Sequence, residues 1–255
     1  MASENGGSSR IGTLEKGFQI IEIVEKEESA TLTEVADRMG VARSTVHDYL
    51  TTLLDLEYLV KNDGAYQLGL KFTRLGTNAR ETVPLSNVIT PYLERLANET
   101  GETVWFLVEE CGLAVYLRHA EGEQGIKTEH FIGGRSYLHC HAGGKAILAQ
   151  FPEDRVNEII DKHGLPEITE NTITSREALF QELEQIREQN YAQNQSEQLE
   201  ETRAVSAAIV IDDEVLGAIS VGGPAHRLRG ERFEDELPNQ VMSAVNEIRL
   251  NQLYS

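Results

Sequence analysis

The chain has 255 residues, 40% of them hydrophobic, and a formal net charge of −19 from 23 Lys+Arg and 42 Asp+Glu. That length suggests about two domains, and that apolar fraction is enough for ordinary cores. Its apolar runs fall well short of the roughly 20 residues a membrane-spanning helix needs, and its two cysteines, Cys111 and Cys140, are too few for a disulfide framework.

The acidity is uneven. Residues 1–80 hold 9 Lys+Arg and 12 Asp+Glu, net −3; the remainder hold 14 and 30, net −16. Nucleic-acid affinity comes largely from neutralising phosphates, so such a surface belongs in the first segment if anywhere. An acidic surplus with little lysine fits a protein from a salt-loving organism; an ordinary acidic protein is the competing reading.

Residues 1–10 are polar and small, without the apolar centre of a signal peptide, and predict a disordered tail on a cytoplasmic protein. Leu14, Phe18, Ile20, Ile21, Ile23 and Val24 recur at helical spacing and predict a helix over Thr13–Lys26. Thr31, with Glu34 three residues on, is a capping box that starts a second helix, and Gly40 stops it. A third helix runs from Arg43 to Leu56, with Val46, Leu50, Leu53 and Leu54 on one face. Two short helices about a glycine turn, the second polar at its exposed start, form a helix-turn-helix pattern. Tyr58–Lys61 and Ala65–Leu68 flank Asn62-Asp63-Gly64, a strong hairpin signal and the place for a wing. The winged helix-turn-helix is therefore expected over 11–68 and a helical connector over 69–82. The candidate DNA contacts are Thr33 on the second helix, Arg43, Ser44, Thr45, His47, Asp48 and Thr51 on the third, and Lys61 on the wing. A small helical domain that binds protein instead is the alternative.

Residues 83–255 predict an α+β domain, an antiparallel sheet flanked by helices. Its helices are expected at Pro84–Thr100, Gly143–Gln150, Glu153–His163, Ser175–Asn190 and Glu231–Asn251. Thr103–Val108 with Leu113–Arg118, and Ala204–Ile211 with Val215–Gly222, predict two hairpins, and Lys127–Ile132 a further strand.

Two constellations carry chemistry. Ala142, Gly143 and Gly144 lead into a helix whose first N–H groups suit an anion; a tight turn without ligand is the alternative. His139-Cys140-His141, read as a strand, puts both imidazoles on one face. Two ligands are too few for zinc, and a third would come from Glu129, His119 or Glu109; core packing is the commoner outcome, so no metal and no cofactor is expected. Arg203 is placed either for an anionic ligand or for an ion pair with Glu197 or Glu200. Gly-x-Ser-x-Gly, HExxH and phosphate-loop motifs do not occur, which argues against an enzyme; a metal- or ligand-binding enzyme that docks through its helix-turn-helix is the alternative function.

The run Thr31-Leu32-Thr33-Glu34-Val35-Ala36, then Gly40-Val41-Ala42-Arg43-Ser44-Thr45-Val46-His47, then Tyr66-Gln67-Leu68-Gly69, resembles the isocitrate-lyase-regulator (IclR) family. The likeness extends through His139, Gly144-Lys145-Ala146-Ile147-Leu148-Ala149, Arg203 and Gly217-Ala218-Ile219-Ser220-Val221. It implies a GAF-like effector domain and a DNA-binding homodimer or tetramer on a palindromic operator. It also implies control by a small molecule, often an organic or sugar acid, of a catabolic pathway. By resemblance the pocket wall includes Asn194, Ala204, Ser220 and Gly222. The chain departs from the family pattern at Asp48, often basic, at Asn194, often acidic, at Gly222, often serine, and at Glu201, often glycine.

Overall fold

The computed structural model describes residues 11–125 and 132–253. The predicted strand at Lys127–Ile132 lies, but for its last residue, outside them. The chain divides into two compact units, Met1–Arg80 and Glu81–Ser255.

In the first unit, α1 (Gly12–Lys26), α2 (Leu32–Met39) and α3 (Arg43–Asp55) are followed by β2 (Leu59–Asn62) and β3 (Ala65–Leu68). A short β1 (Ala30–Thr31), which the sequence does not reveal, pairs with β3, giving the order β1-β3-β2. The capping box forms: Thr31 Oγ1 accepts from the Glu34 N–H, and Glu34 accepts from the Thr31 N–H at 2.7 Å. Gly40 ends α2 in the left-handed region at φ 64°, open to glycine at low cost. Ile20, Val24, Val35, Val46, Leu50 and Leu59 are fully buried together. Lys71–Glu81 forms α4, and the Lys71 ammonium donates to the Leu56 carbonyl at 2.9 Å.

The second unit is built on a six-stranded antiparallel sheet in the order β6-β5-β4-β9-β8-β7. Its strands are β4 (Thr103–Glu110), β5 (Leu113–Glu121), β6 (Arg135–Tyr137), β7 (Ala192–Gln195), β8 (Thr202–Ile211) and β9 (Glu214–Pro224). Residues alternate between two apolar cores. Val104, Phe106, Val205, Ala207, Ile219 and Val221 face α5 (Thr90–Thr100) and α9 (Leu237–Leu253). Leu107, Ala114, Ala192 and Ala218 face α6 (Ala142–Leu148), α7 (Glu153–His163) and α8 (Arg176–Gln189).

Three expectations change. Pro84 lies in turns ahead of α5, whose first turn instead holds Pro91. Glu231–Asn251 begins with a π turn at Arg232–Glu236 before α9 proper. The edge strands β6 and β7 were not expected. In addition, Glu102, fully buried, receives Arg227 at 2.6 Å and Arg232 at 3.1 Å, which pins the segment after β9 to the sheet.

Candidate functional site

Burial of Val46, Leu50 and Leu53 turns the opposite face of α3 outward. Arg43, Ser44, His47, Asp48 and Thr51 are exposed there, while Thr45 and Thr33 are half-buried. Asp48 is 87% exposed at its side chain, 3.7 Å from the His47 ring nitrogen. On the wing, the ammonium of exposed Lys61 lies over the Tyr66 ring, 4.9 Å from its centroid, a cation–π contact that orients it. The eight expected residues thus occupy α2, α3 and the hairpin of one small unit.

A cavity of about 360 Å³ opens on the face of the large sheet that carries α6. Its wall includes Trp105, Tyr116, His141, Asn194, Gln198 and Ala204, together with Ala142, Ser220 and Gly222. Strand alternation explains the grouping: Asn194, Ala204 and Gly222 stand side by side across β7, β8 and β9. The loop after β7 forms one rim and is tied down from below. Thr169 and Thr172 donate to the carbonyls of Ser196 and Glu197 at 2.7 and 2.6 Å. Buried Lys145 lies 2.7 Å from carboxylate oxygens of both Glu197 and Glu182. Burial pushes the Glu197 carboxyl up and the Lys145 charge opposes it.

Arg203 also belongs to the wall, but its guanidinium lies on the opposite face of the sheet. It donates to the Leu228 carbonyl at 3.0 Å and sits 5.0 Å from the Phe233 ring centroid, both residues of the α5–α9 core. The ion pair with Glu197, one of the alternatives for Arg203, is not made, since Glu197 is paired with Lys145. Glu201, where the family often has glycine, has φ 57°, so this turn requires the left-handed region.

Gly143 and Gly144 do not border the cavity. A Cβ at Gly143 would come within 2.6 Å of Leu107 Cδ2, and one at Gly144 within 2.1 Å of the Leu138 carbonyl oxygen. Their smallness serves packing, and the Gly144 N–H donates to His141 Nδ1 at 3.1 Å. The start of α6 reaches the cavity only through Ala142 and His141.

His139-Cys140-His141 is not a strand. Leu138–Cys140 is one 3-10 turn and His141 caps α6. With Nδ1 accepting, neutral His141 donates through Nε2 to Ser136 Oγ at 2.9 Å. His139 Nε2 donates to the Pro166 carbonyl at 3.1 Å. Burial, with help from Lys145 and His139, pushes His141 down to about 3. Burial likewise pushes the Cys140 thiol up to about 12. Among the described residues, no group of three or more His, Cys, Asp or Glu is placed to hold a metal ion. Of the imagined third ligands, His119 stacks on Trp105, Glu109 accepts from Arg155, and Glu129 lies outside the described residues.

Sequence reasoning missed Trp105, Tyr116, Gln198 and the Lys145–Glu197 pair. The one available signal was a lysine inside the otherwise small and apolar run Ala142–Leu148.

A winged helix-turn-helix unit with an exposed polar helix, followed by a sheet domain holding a ligand-sized cavity, defines a ligand-responsive transcription regulator. Residues 13–63 match the IclR helix-turn-helix domain, and residues 77–250 match the bacterial transcriptional regulator IclR C-terminal domain. The chain belongs to the IclR family of DNA-binding transcription regulators. It is 32% identical over 256 residues to a probable HTH-type transcriptional regulator, ArcR, of Halobacterium salinarum, covering 98% of this chain and 97% of the relative. The crystal structure of Thermotoga maritima IclR superposes with a TM-score of 0.78 at 27% identity, covering 95% and 99% of the two chains. An IclR homologue from Microbacterium hydrocarbonoxydans, solved with 4-hydroxybenzoate, gives 0.81 at 19% identity, covering 95% and 100%. No helix among the described residues is long and apolar enough to cross a membrane.

Proposed function

We propose that α3 enters the major groove of an operator with Arg43, Ser44, Thr45, His47 and Thr51 toward the bases. Thr33 and Lys61 contact the phosphates. The observation that carries this reading is the exposed polar row on α3, backed by buried Val46, Leu50 and Leu53. Asp48 repels phosphate and suits a cytosine amino group, so it sets specificity rather than affinity. The chain acts in the cytoplasm as a homodimer or a dimer of dimers. Its operator is palindromic, with half-sites one or more helical turns apart, about 34 Å per turn. A small molecule from a catabolic pathway occupies the cavity beside Trp105 and shifts the heads between arrangements through α4. The acidic surplus after residue 80 suits a salt-rich cytoplasm.

The test is electrophoretic retention of the chain's own upstream region. Arg43→Ala, a truncation at an exposed position, is expected to weaken specific retention by roughly 10- to 100-fold, equivalent to about 1–3 kcal/mol. The melting temperature is expected to stay unchanged. Folded wild-type protein that retains no genomic fragment, or an Arg43→Ala variant that binds as the wild type does, overturns the reading.

A further inference from the structure

Among the described residues the cavity lining is aromatic on one side, small on another, and without Lys, Asp or Glu. One side is aromatic: Trp105 and Tyr116 meet edge to face with ring centroids 5.2 Å apart. Beside them lies a shelf of two small residues, Ala204 and Gly222, directly paired across β8 and β9. A Cβ at Gly222 would meet only Ala204 Cβ at 3.5 Å and the Arg203 carbonyl oxygen at 3.6 Å, both ordinary contacts. Unlike Gly143 and Gly144, then, Gly222 is not demanded by packing. Its missing side chain is what gives the cavity depth there. An apolar cavity of about 150 Å³ already accepts benzene, so about 360 Å³ accommodates a ring with a substituent.

Apart from His141 and Arg203, the polar side chains of the described wall are hydroxyls and amides, those of Thr103, Tyr116, Asn194, Gln198, Thr202 and Ser220. Tyr116 donates to Gln198 at 3.3 Å and Asn194 to the Cys140 carbonyl at 2.9 Å, so these groups are oriented before any ligand arrives. Among the described residues the lining includes no carboxylate and no ammonium, and the guanidinium of Arg203 is committed to the other face of the sheet. His141 is neutral, with both ring nitrogens engaged. Against the described residues of this wall, a ligand's charge would be buried without a countercharge, which is expensive. A ring is selected by area and by the aromatic wall.

We infer that this site takes a flat, ring-bearing molecule with a short hydrogen-bonding substituent, and that ring shape rather than net charge decides what enters. The inference rests on the effector reading of the cavity proposed above. Its particular content is the ligand class and the role of Gly222 and Ala204 as the residues that set it.

The test is a thermal-shift and calorimetric series on the full chain with benzoate, its uncharged isostere benzamide, their 4-hydroxy forms, and gluconate as an acid without a ring. At about a hundredfold excess over Kd, a ring compound raises the melting temperature by roughly 5 °C. Within each pair, the acid and the amide bind within about tenfold of one another. Gly222→Leu and Ala204→Leu, each of which fills the shelf, lose ring binding by more than about tenfold. At least one of them keeps the unliganded melting temperature and retention of the operator fragment. Gluconate binding without ring binding overturns the inference, as does a carboxylate more than about tenfold tighter than its amide. So does unchanged affinity in whichever shelf variant folds, or no ring response in a wild type that still retains its operator. Loss of operator retention by the wild type instead overturns the regulator reading.

Discussion

His141 links the local chain to the cavity. Its Nδ1 caps α6 through the Gly144 N–H, its Nε2 side holds Ser136, and one edge of the ring faces the cavity. Protonation would turn the accepting nitrogen into a donor facing a donor, in a site where burial already disfavours charge. The folded-state value of about 3 lies below the ordinary 6.5. For a base shifted downward, the unfolded chain binds the proton more readily, so stability is complete above pH 6.5 and lost as pH falls toward 3. Between pH 7 and 5 this amounts to about 2 kcal/mol from His141. His139, lowered chiefly by burial, adds in the same direction. Denaturant unfolding should therefore show a weaker chain at pH 5, and His141→Gln should flatten that dependence. An unchanged slope in the variant would place the titrating group elsewhere.

At the scale of elements, α2 is the best-specified piece of the N-terminal unit. Eight residues make too short a helix to persist alone. The reciprocal Thr31–Glu34 bonds satisfy two of its orphan donors, and Gly40 closes the other end. Thr31→Ala is expected to cost about 1 kcal/mol, visible as a lower denaturation midpoint of the N-terminal unit at constant m-value. Operator retention should fall only as far as that unfolding requires. A larger loss of DNA binding in fully folded protein would give Thr31 a direct contact. The capping box was legible because it is chemistry between residues three apart. The edge strand β7 was not, because Ala192-Gln193-Asn194-Gln195 has no strand-forming preference of its own. It is a strand because it pairs antiparallel with Arg203–Ser206 on the edge of β8 away from β9. The start of α5 went wrong for a related reason. Pro84 is a permissible first-turn residue, but Leu85 sits at φ 66° and turns the chain before Thr90.

For the whole molecule the governing quantity is the net charge of −19. Like charges on a compact body repel, and salt screens them within about 10 Å at 0.1 M and about 3 Å at 1 M. The melting temperature is therefore expected to rise as sodium chloride increases from about 0.1 to 1 M, over the range where the Debye length contracts. Operator affinity should move the other way, falling log-linearly with salt as counterions return to the phosphates. Parallel titrations of melting temperature and retention check both. A melting temperature independent of salt would mean that the acidic surface is not a stability term.

What the sequence alone determined was local or periodic: the capping box, the glycine stop, the leucine-backed α3, the Asp-Gly hairpin and the two large-sheet hairpins. Each is a relation among residues a few positions apart, so neighbouring chemistry suffices to specify it. Tertiary structure decided where side chains at the cavity go. Arg203 and Ala204 are adjacent in sequence, yet strand alternation sends one to Phe233 and the other to the cavity. Gly144 and Gly222 look alike in the sequence, yet one is hemmed in by the Leu138 carbonyl and the other borders open volume. Lys145 finds Glu197 52 residues away. Such outcomes depend on strand pairing and on helix packing over both faces of the sheet, which bring together parts of the chain that share no local pattern.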